Sequence, residues 1–278
     1  MQNLINEELI LTSMILVDIH AHLDHARFKD DLDQVIDRAK KAGIKSIITS
    51  GVNSTTNRLA LKISEKYPDV VKVSFGIYPL DALAKELEAG EAEGFPRDIE
   101  PIDINKELAY IKNNKDKCIA VGECGLDFNW GREHEREQKA VFQKVMDLVE
   151  KIKKPIVVHT RKAELEAIEM LESSSLKKIV LHCCMARKHL IKKAADNGWY
   201  FSIPPIITRL QHFQTMAEKV NINQLLTETD APYLSPYPGE RNEPAFVTET
   251  VKKIAEIKKM DPQEIANNIW MNYQKVFL

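Results

Sequence analysis

The chain has 278 residues, of which 44% are hydrophobic and 29% charged, and a formal net charge of −2. That balance describes a globular protein with a sizeable core and excludes a binder that relies on a long basic footprint. No apolar run approaches the roughly 20 residues that span a bilayer, so no membrane partner is expected.

Residues 1–13, MQNLINEELILTS, carry two glutamates and no Lys or Arg, unlike a secretory signal. They are read as an N-terminal extension or an upstream start, ahead of a single domain over 14–278. The four cysteines form no CxxC, and two of them are adjacent. That pattern fits no disulfide framework and points to a reduced, cytoplasmic compartment. Candidate strands then follow in order: ILVDI (15–19), IKSIITS (44–50), VVKVSFG (70–76), CIAVGE (118–123), PIVVH (155–159), KIVLH (178–182), WYFSI (199–203) and LLTET (225–229). Between them, segments such as 30–41, 132–152 and 187–197 place apolar residues at a three-to-four spacing, which predicts helices. Near-continuous apolar strands alternating with helices predict a parallel sheet covered on its faces. Eight such units fit an α/β (β/α)₈ TIM barrel, with a doubly wound open sheet as the alternative. One connection, 79–103, is long and acidic (KELEAGEAEGFPRDIEPID) and reads as a lid or as a solvated helical insertion.

The metal-competent side chains fall where these strands end. His20 and His22 follow strand one, Glu123 ends strand four, and His159 ends strand five. His182 ends strand six, and Asp230 follows strand eight. Barrel active sites lie at the C-terminal strand ends, so all six would meet at one mouth. His20 and His22 share a face because strand side chains alternate, which lets one ion be held by both imidazoles. Each residue alone has a structural explanation, such as a hydrogen-bonded core histidine or an N-capping aspartate. Their coincidence at strand ends is what points to metal, and imidazole with carboxylate suits zinc and neighbouring divalent ions.

The ordered fragments DIHAHLDH, GECGLDF, VVHTRKA, LHC and TETDAPYLSP…RNEP resemble the TatD family of metal-dependent deoxyribonucleases, in the amidohydrolase superfamily of TIM-barrel hydrolases. The resemblance spans Asp18 to Pro244 and implies two divalent ions per chain (Zn, Mg or Mn). His20, His22 and Asp230 would hold the first and His159 and His182 the second, with Glu123 bridging them. Two cations about 4 Å apart need a shared anion, which agrees with that role. Asp230 is also the candidate general base. Glu228, two residues earlier, is expected to support the site rather than to react.

Arg161, two residues past His159, and Arg241, which opens RNEP, are candidate substrate contacts because a guanidinium matches a phosphate through two hydrogen bonds. For Arg241 the bland alternative is a loop ion pair with Glu240 or Glu243. The family's Gly-x-His-Pro reads GIYP here, so Tyr78 stands where a histidine belongs, and as a candidate substrate contact it can donate a hydrogen bond but carries no positive charge near neutral pH. Asp127 is expected to orient a loop or a ligand, His25 to bind a loop carbonyl, and Cys124 and Cys184 to pack. The implied substrate is a DNA end or single-stranded DNA, cleaved 3′ to 5′ by a phosphodiesterase with no obligate protein partner. D-aminoacyl-tRNA ester cleavage on the same site and a catalytically silent binding protein are the alternatives.

Overall fold

The computed structural model describes residues 14–87 and 93–278. The proposed N-terminal extension, and residues 88–92 of the acidic insertion, lie outside the described residues. Eight strands follow one another: β1 (Leu16–Ala21), β2 (Ile44–Ser50), β3 (Val71–Ile77), β4 (Ala120–Asp127), β5 (Ile156–Arg161), β6 (Ile179–Leu181), β7 (Tyr200–Ile203) and β8 (Leu225–Thr227). Their order in the sheet is their order in the chain, β1 through β8. A doubly wound sheet would reverse direction at a switch point, so this order excludes the open-sheet alternative and gives a (β/α)₈ barrel.

The connecting helices are α1 (Leu32–Lys41), α2 (Ser54–Lys66), α3 (Ile104–Asn113), α4 (Glu135–Ile152), α5 (Glu164–Glu172), α6 (Lys188–Asp196) and α7 (Gln211–Lys219). Two more, α8 (Val247–Lys258) and α9 (Pro262–Phe277), end the chain. α1 shows why these segments are helical. Val35, Ile36 and Ala39 fall on one buried face, and basic residues fill its last turn, where the helix dipole favours them. Burying an isoleucine such as Ile36 contributes about 1.5–3 kcal/mol. Gly43, at φ 89°, then lets the chain turn into β2.

The described residues form two compact units, one made of 14–49, 63–72 and 200–278, the other of 50–62 and 73–199. In the first, β1 pairs with β2 and β7 with β8, all parallel. α9 is fastened to this unit by Tyr273, whose hydroxyl is 2.8 Å from Ser46 Oγ, and by Asn272, whose amide donates to the carbonyls of Ile222 and Leu225. In the second, β4 pairs with β3 and β5, and β5 with β6. β4 is buried along its whole length. Gly125 lies at φ 144°, and a Cβ there would overlap the backbone of His159, so glycine is what lets β4 and β5 approach.

The long connection after β3 begins with one helical turn, Pro79–Ala82, and has no further helix among its described residues. Residues 93–103 are irregular and anchored. Arg97 forms a bidentate pair with the fully buried Asp81, which also accepts from Asn53 and from the Glu100 amide. Leu87, Phe95 and Ile99 pack on Val52, Tyr78 and Leu80. The expectation of a solvated helical insertion is not met in this part. A buried charge pair and an apolar seat hold the segment instead.

Candidate metal centres

In the first unit, the ends of β1 and β8 are stitched together. The Asp230 amide donates to the His20 carbonyl at 2.8 Å, and the His22 amide donates to Ala231 at 2.8 Å. Asp18, fully buried in β1, accepts from the Thr229 hydroxyl at 2.5 Å, the Thr229 amide at 2.9 Å and the His20 amide at 3.2 Å. Burial pushes the Asp18 carboxyl up to about 8, against those hydrogen bonds and with a further push from Glu228. These ties hold Asp230 at φ 54°, a left-handed conformation that aspartate adopts more readily than most non-glycine residues.

The result is a triangle of donor atoms. His20 Nε2 and His22 Nε2 are 3.3 Å apart, and Asp230 Oδ1 lies 3.6 Å from the first and 3.4 Å from the second. Ligand bonds of about 2.0–2.2 Å in a tetrahedral site put neighbouring donors about 3.3–3.5 Å apart, so this triangle has metal-ligand dimensions. Two imidazole nitrogens facing each other at this distance need a shared proton or cation between their lone pairs. His20 is fully buried, whereas the His22 and Asp230 side chains keep 13% and 18% of their exposure. The triangle is therefore open on one side.

The second unit holds another. Glu123 Oε1 lies 2.9 Å from His159 Nδ1 and 3.1 Å from His182 Nε2, and those nitrogens are 3.3 Å apart. Glu123 and His182 are buried. His159 turns Nδ1 toward Glu123, which leaves Nε2 for Asp127 Oδ2 at 3.4 Å and the Tyr78 hydroxyl at 3.2 Å. Asp127 is fully buried and also accepts from the Tyr78 hydroxyl at 2.8 Å and from the Asn129 amide at 2.9 Å. Burial raises the Asp127 carboxyl, but His159, Tyr78 and Asn129 outweigh it and hold the group below the usual carboxylate range. A carboxylate behind an imidazole is the arrangement that fixes a metal-binding histidine's tautomer and ring orientation. Both donor sets thus fit divalent cations by chemistry, the first also by spacing, while the 2.9 and 3.1 Å contacts to Glu123 in the second are hydrogen-bond distances.

Other candidates occupy different roles. Against the expectation of a substrate contact, Tyr78 is 6% exposed, its hydroxyl is committed to Asp127, and its ring is flanked by Phe95 and the Arg97 guanidinium. Arg241 makes an ion pair, but its partner is Asp31 through two nitrogens, with the guanidinium over Phe28, while Glu243 pairs with Arg38. Its charge is already neutralised. Arg161 is exposed at the end of β5, 5.8 Å from the Trp130 ring centre. Glu228 is buried and accepts from Ser202 at 2.7 Å. His25 accepts the Arg27 amide at 3.0 Å, which makes it a cap for the turn that follows. Cys124 is fully buried, and its burial pushes the thiol far up. Cys184 is buried as well.

Asp18 has no assigned role in the sequence reading. Its signal is periodicity, since Asp18, His20 and His22 are three polar residues at a spacing of two in a strand that is otherwise apolar.

A family model described as TatD related DNase matches residues 17–278. An uncharacterized metal-dependent hydrolase of Methanocaldococcus jannaschii is 32% identical over 261 residues, 94% of this chain and 96% of that protein. Deoxyribonuclease TATDN3 of Homo sapiens is 30% identical over 266 residues, 94% of each. The 3′-5′ ssDNA/RNA exonuclease TatD of Erwinia tasmaniensis is 28% identical over 273 residues, 94% of this chain and 99% of that protein. Among solved structures, the TatD homologue YJJV of Escherichia coli superposes with a TM-score of 0.82 at 20% identity, covering 94% of this chain and 97% of that one.

Proposed function

The chain belongs to the TatD related DNase family of hydrolases, and from that premise we propose that it is a metal-dependent phosphodiesterase that removes nucleotides from DNA ends in the 3′ to 5′ direction. The observation that carries this reading is the pair of donor triangles, His20–His22–Asp230 and Glu123–His159–His182, each of two imidazoles and a carboxylate, the first with metal-ligand spacing and the second closed to hydrogen-bond distances. His20, His22 and Asp230 would hold one divalent ion and His159 and His182 a second, with Glu123 the carboxylate we assign to both.

When bound, such a pair of ions supplies Lewis-acid stabilisation of the phosphoryl charge and lowers the pKa of water. The chain's own residues do the rest. Asp230 presents its carboxylate on the open side of its triangle and accepts the proton of the attacking water. Arg161 is exposed and makes no ion pair among the described residues, so its guanidinium is available to hold a phosphate through two hydrogen bonds. Asp127 and Tyr78 keep His159 oriented from behind. The 3′ to 5′ direction is supported by the similarity to the 3′-5′ ssDNA/RNA exonuclease TatD of Erwinia tasmaniensis.

The test is metal analysis of the purified protein together with digestion of single strands labelled at either end, run beside an aminoacyl ester. Two equivalents of divalent ion and progressive shortening from the 3′ end are expected. Metal-loaded protein that leaves every oligonucleotide intact, or that cleaves only the aminoacyl ester, would reject the nuclease reading.

A further inference from the structure

Across three neighbouring strand ends of the second unit, the side chains change character. After β4 come Trp130 and Arg132, β5 ends in Arg161, and Arg187 and Lys188 open α6 after β6. The three strands are adjacent and parallel, with Asp127 beside Arg161 and Val158 beside Leu181. Their ends therefore point the same way. The four cations are exposed, and none forms an ion pair among the described residues. Four arginines elsewhere are ion-paired, Arg38 with Glu243, Arg58 with Glu107, Arg97 with Asp81 and Arg241 with Asp31, whereas Arg27 and Arg209 donate to backbone carbonyls. Acid is present nearby, since Glu164 accepts the Lys162 backbone amide.

The aromatic component is ordered too. Phe95 and Trp130 meet edge to face at 5.9 Å, and the Arg161 guanidinium stands 5.8 Å from the Trp130 ring centre. Met185, 46% exposed in the loop leading to Arg187, adds apolar surface. Exposed cations beside an aromatic pair are the chemistry of a single-strand binder, in which cations follow phosphates and rings take up bases.

Resting on the phosphodiesterase reading above, we propose that Arg132, Arg161, Arg187 and Lys188, with Trp130 beside Arg161, form a track for a single-stranded polynucleotide. Neighbouring strands are about 4.8 Å apart, so three strand ends span about 10 Å, the length of roughly three stacked nucleotides. The track accounts for an enzyme of net charge −2 that acts on a polyanion: the positive charge is local to one run of strand ends. It selects for a tail of several nucleotides over an isolated phosphodiester.

The experiment measures binding of phosphorothioate oligothymidylates to full-length, metal-loaded protein across a salt titration. Four phosphate contacts predict a log–log salt slope of about −2.8 for wild type on an octathymidylate. The double variant Arg187→Ala/Lys188→Ala should be shallower by about 1.4. Trp130→Ala should weaken binding about 5- to 150-fold with little change in slope. The charge-matched control is Lys177→Ala/Lys178→Ala, at the opposite end of β6, which should bind like wild type. A dithymidylate bound as tightly as the octathymidylate, or equal slopes in the Arg187/Lys188 variant and the control, would overturn the track. Hydrolysis of bis(p-nitrophenyl) phosphate separates the two claims. Wild type that cleaves this reporter while the Arg187/Lys188 variant keeps its slope loses the track alone. Wild type that cleaves no phosphodiester, with the slope reduced in that variant, loses the phosphodiesterase reading and keeps the binding surface.

Discussion

Asp127→Asn perturbs the second donor triangle without touching any of its ligand atoms. The substitution keeps the size of the side chain and removes the charge 3.4 Å behind His159 Nε2. With an ion bound, that charge would favour the tautomer protonated on Nε2 and leave the Nδ1 lone pair for the ion. A hydrogen bond to a charged group is worth about 1.5–3 kcal/mol, and loss of such a supporting carboxylate lowers metal affinity about 10- to 100-fold. The two figures agree, because 10- to 100-fold is about 1.4–2.7 kcal/mol. Competition against a chromophoric chelator reads the effect directly. One of two binding events should weaken by that factor, while the event assigned to His20, His22 and Asp230 keeps its affinity. Tyr78→Phe removes one neutral donor from the same carboxylate and should cost about 2- to 12-fold at the same site. Wild-type affinity for both ions in Asp127→Asn would refute the positioning role of this buried chain.

Three further outcomes follow. Glu123→Gln should lose tight binding of both ions and most activity with the fold retained, and two tightly held ions in that variant would remove the bridging role. Asp230→Asn keeps one oxygen donor but cannot take up a proton, so kcat should fall about 10²–10⁴-fold with modest loss of metal, read from single-turnover kinetics beside metal analysis. For Arg241→Ala, the partners retain 24% and 34% of side-chain exposure, so solvent screening leaves the pair about 1 kcal/mol and the Tm should fall by about 2–4 °C. Arg241, then partial burial opposing it, holds the Asp31 carboxyl below its usual range; the pair's contribution is therefore complete above about pH 4 and is lost as pH falls through the lowered pKa. Melts of wild type and Arg241→Ala should accordingly converge in acid, and a Tm difference that persists there would assign Arg241 another role.

The barrel was legible in the sequence because its strands are continuous apolar runs and its helices keep a period near 3.6, both local properties of the chain. The candidate donor positions were legible because they lie near the ends of apolar runs, although the strands run on past the expected ends, so that His20, Glu123 and His159 lie within β1, β4 and β5. What periodicity cannot reach is which atom of a side chain faces which neighbour. The sequence marks Tyr78 as a departure from Gly-x-His-Pro, but only packing buries it and commits its hydroxyl to Asp127. Arg241 is flanked by Glu240 and Glu243, yet it pairs with Asp31, more than two hundred residues away in the chain. Asp18 looks like one more strand residue until folding brings Thr229 onto its carboxylate. Local pattern is set by the chain's own covalent period, and it fixes the fold and the places where chemistry is presented. Partner choice is a competition among groups brought together from distant parts of the chain, and burial decides it, because a charge or hydroxyl removed from water takes whichever partner the packing puts within reach.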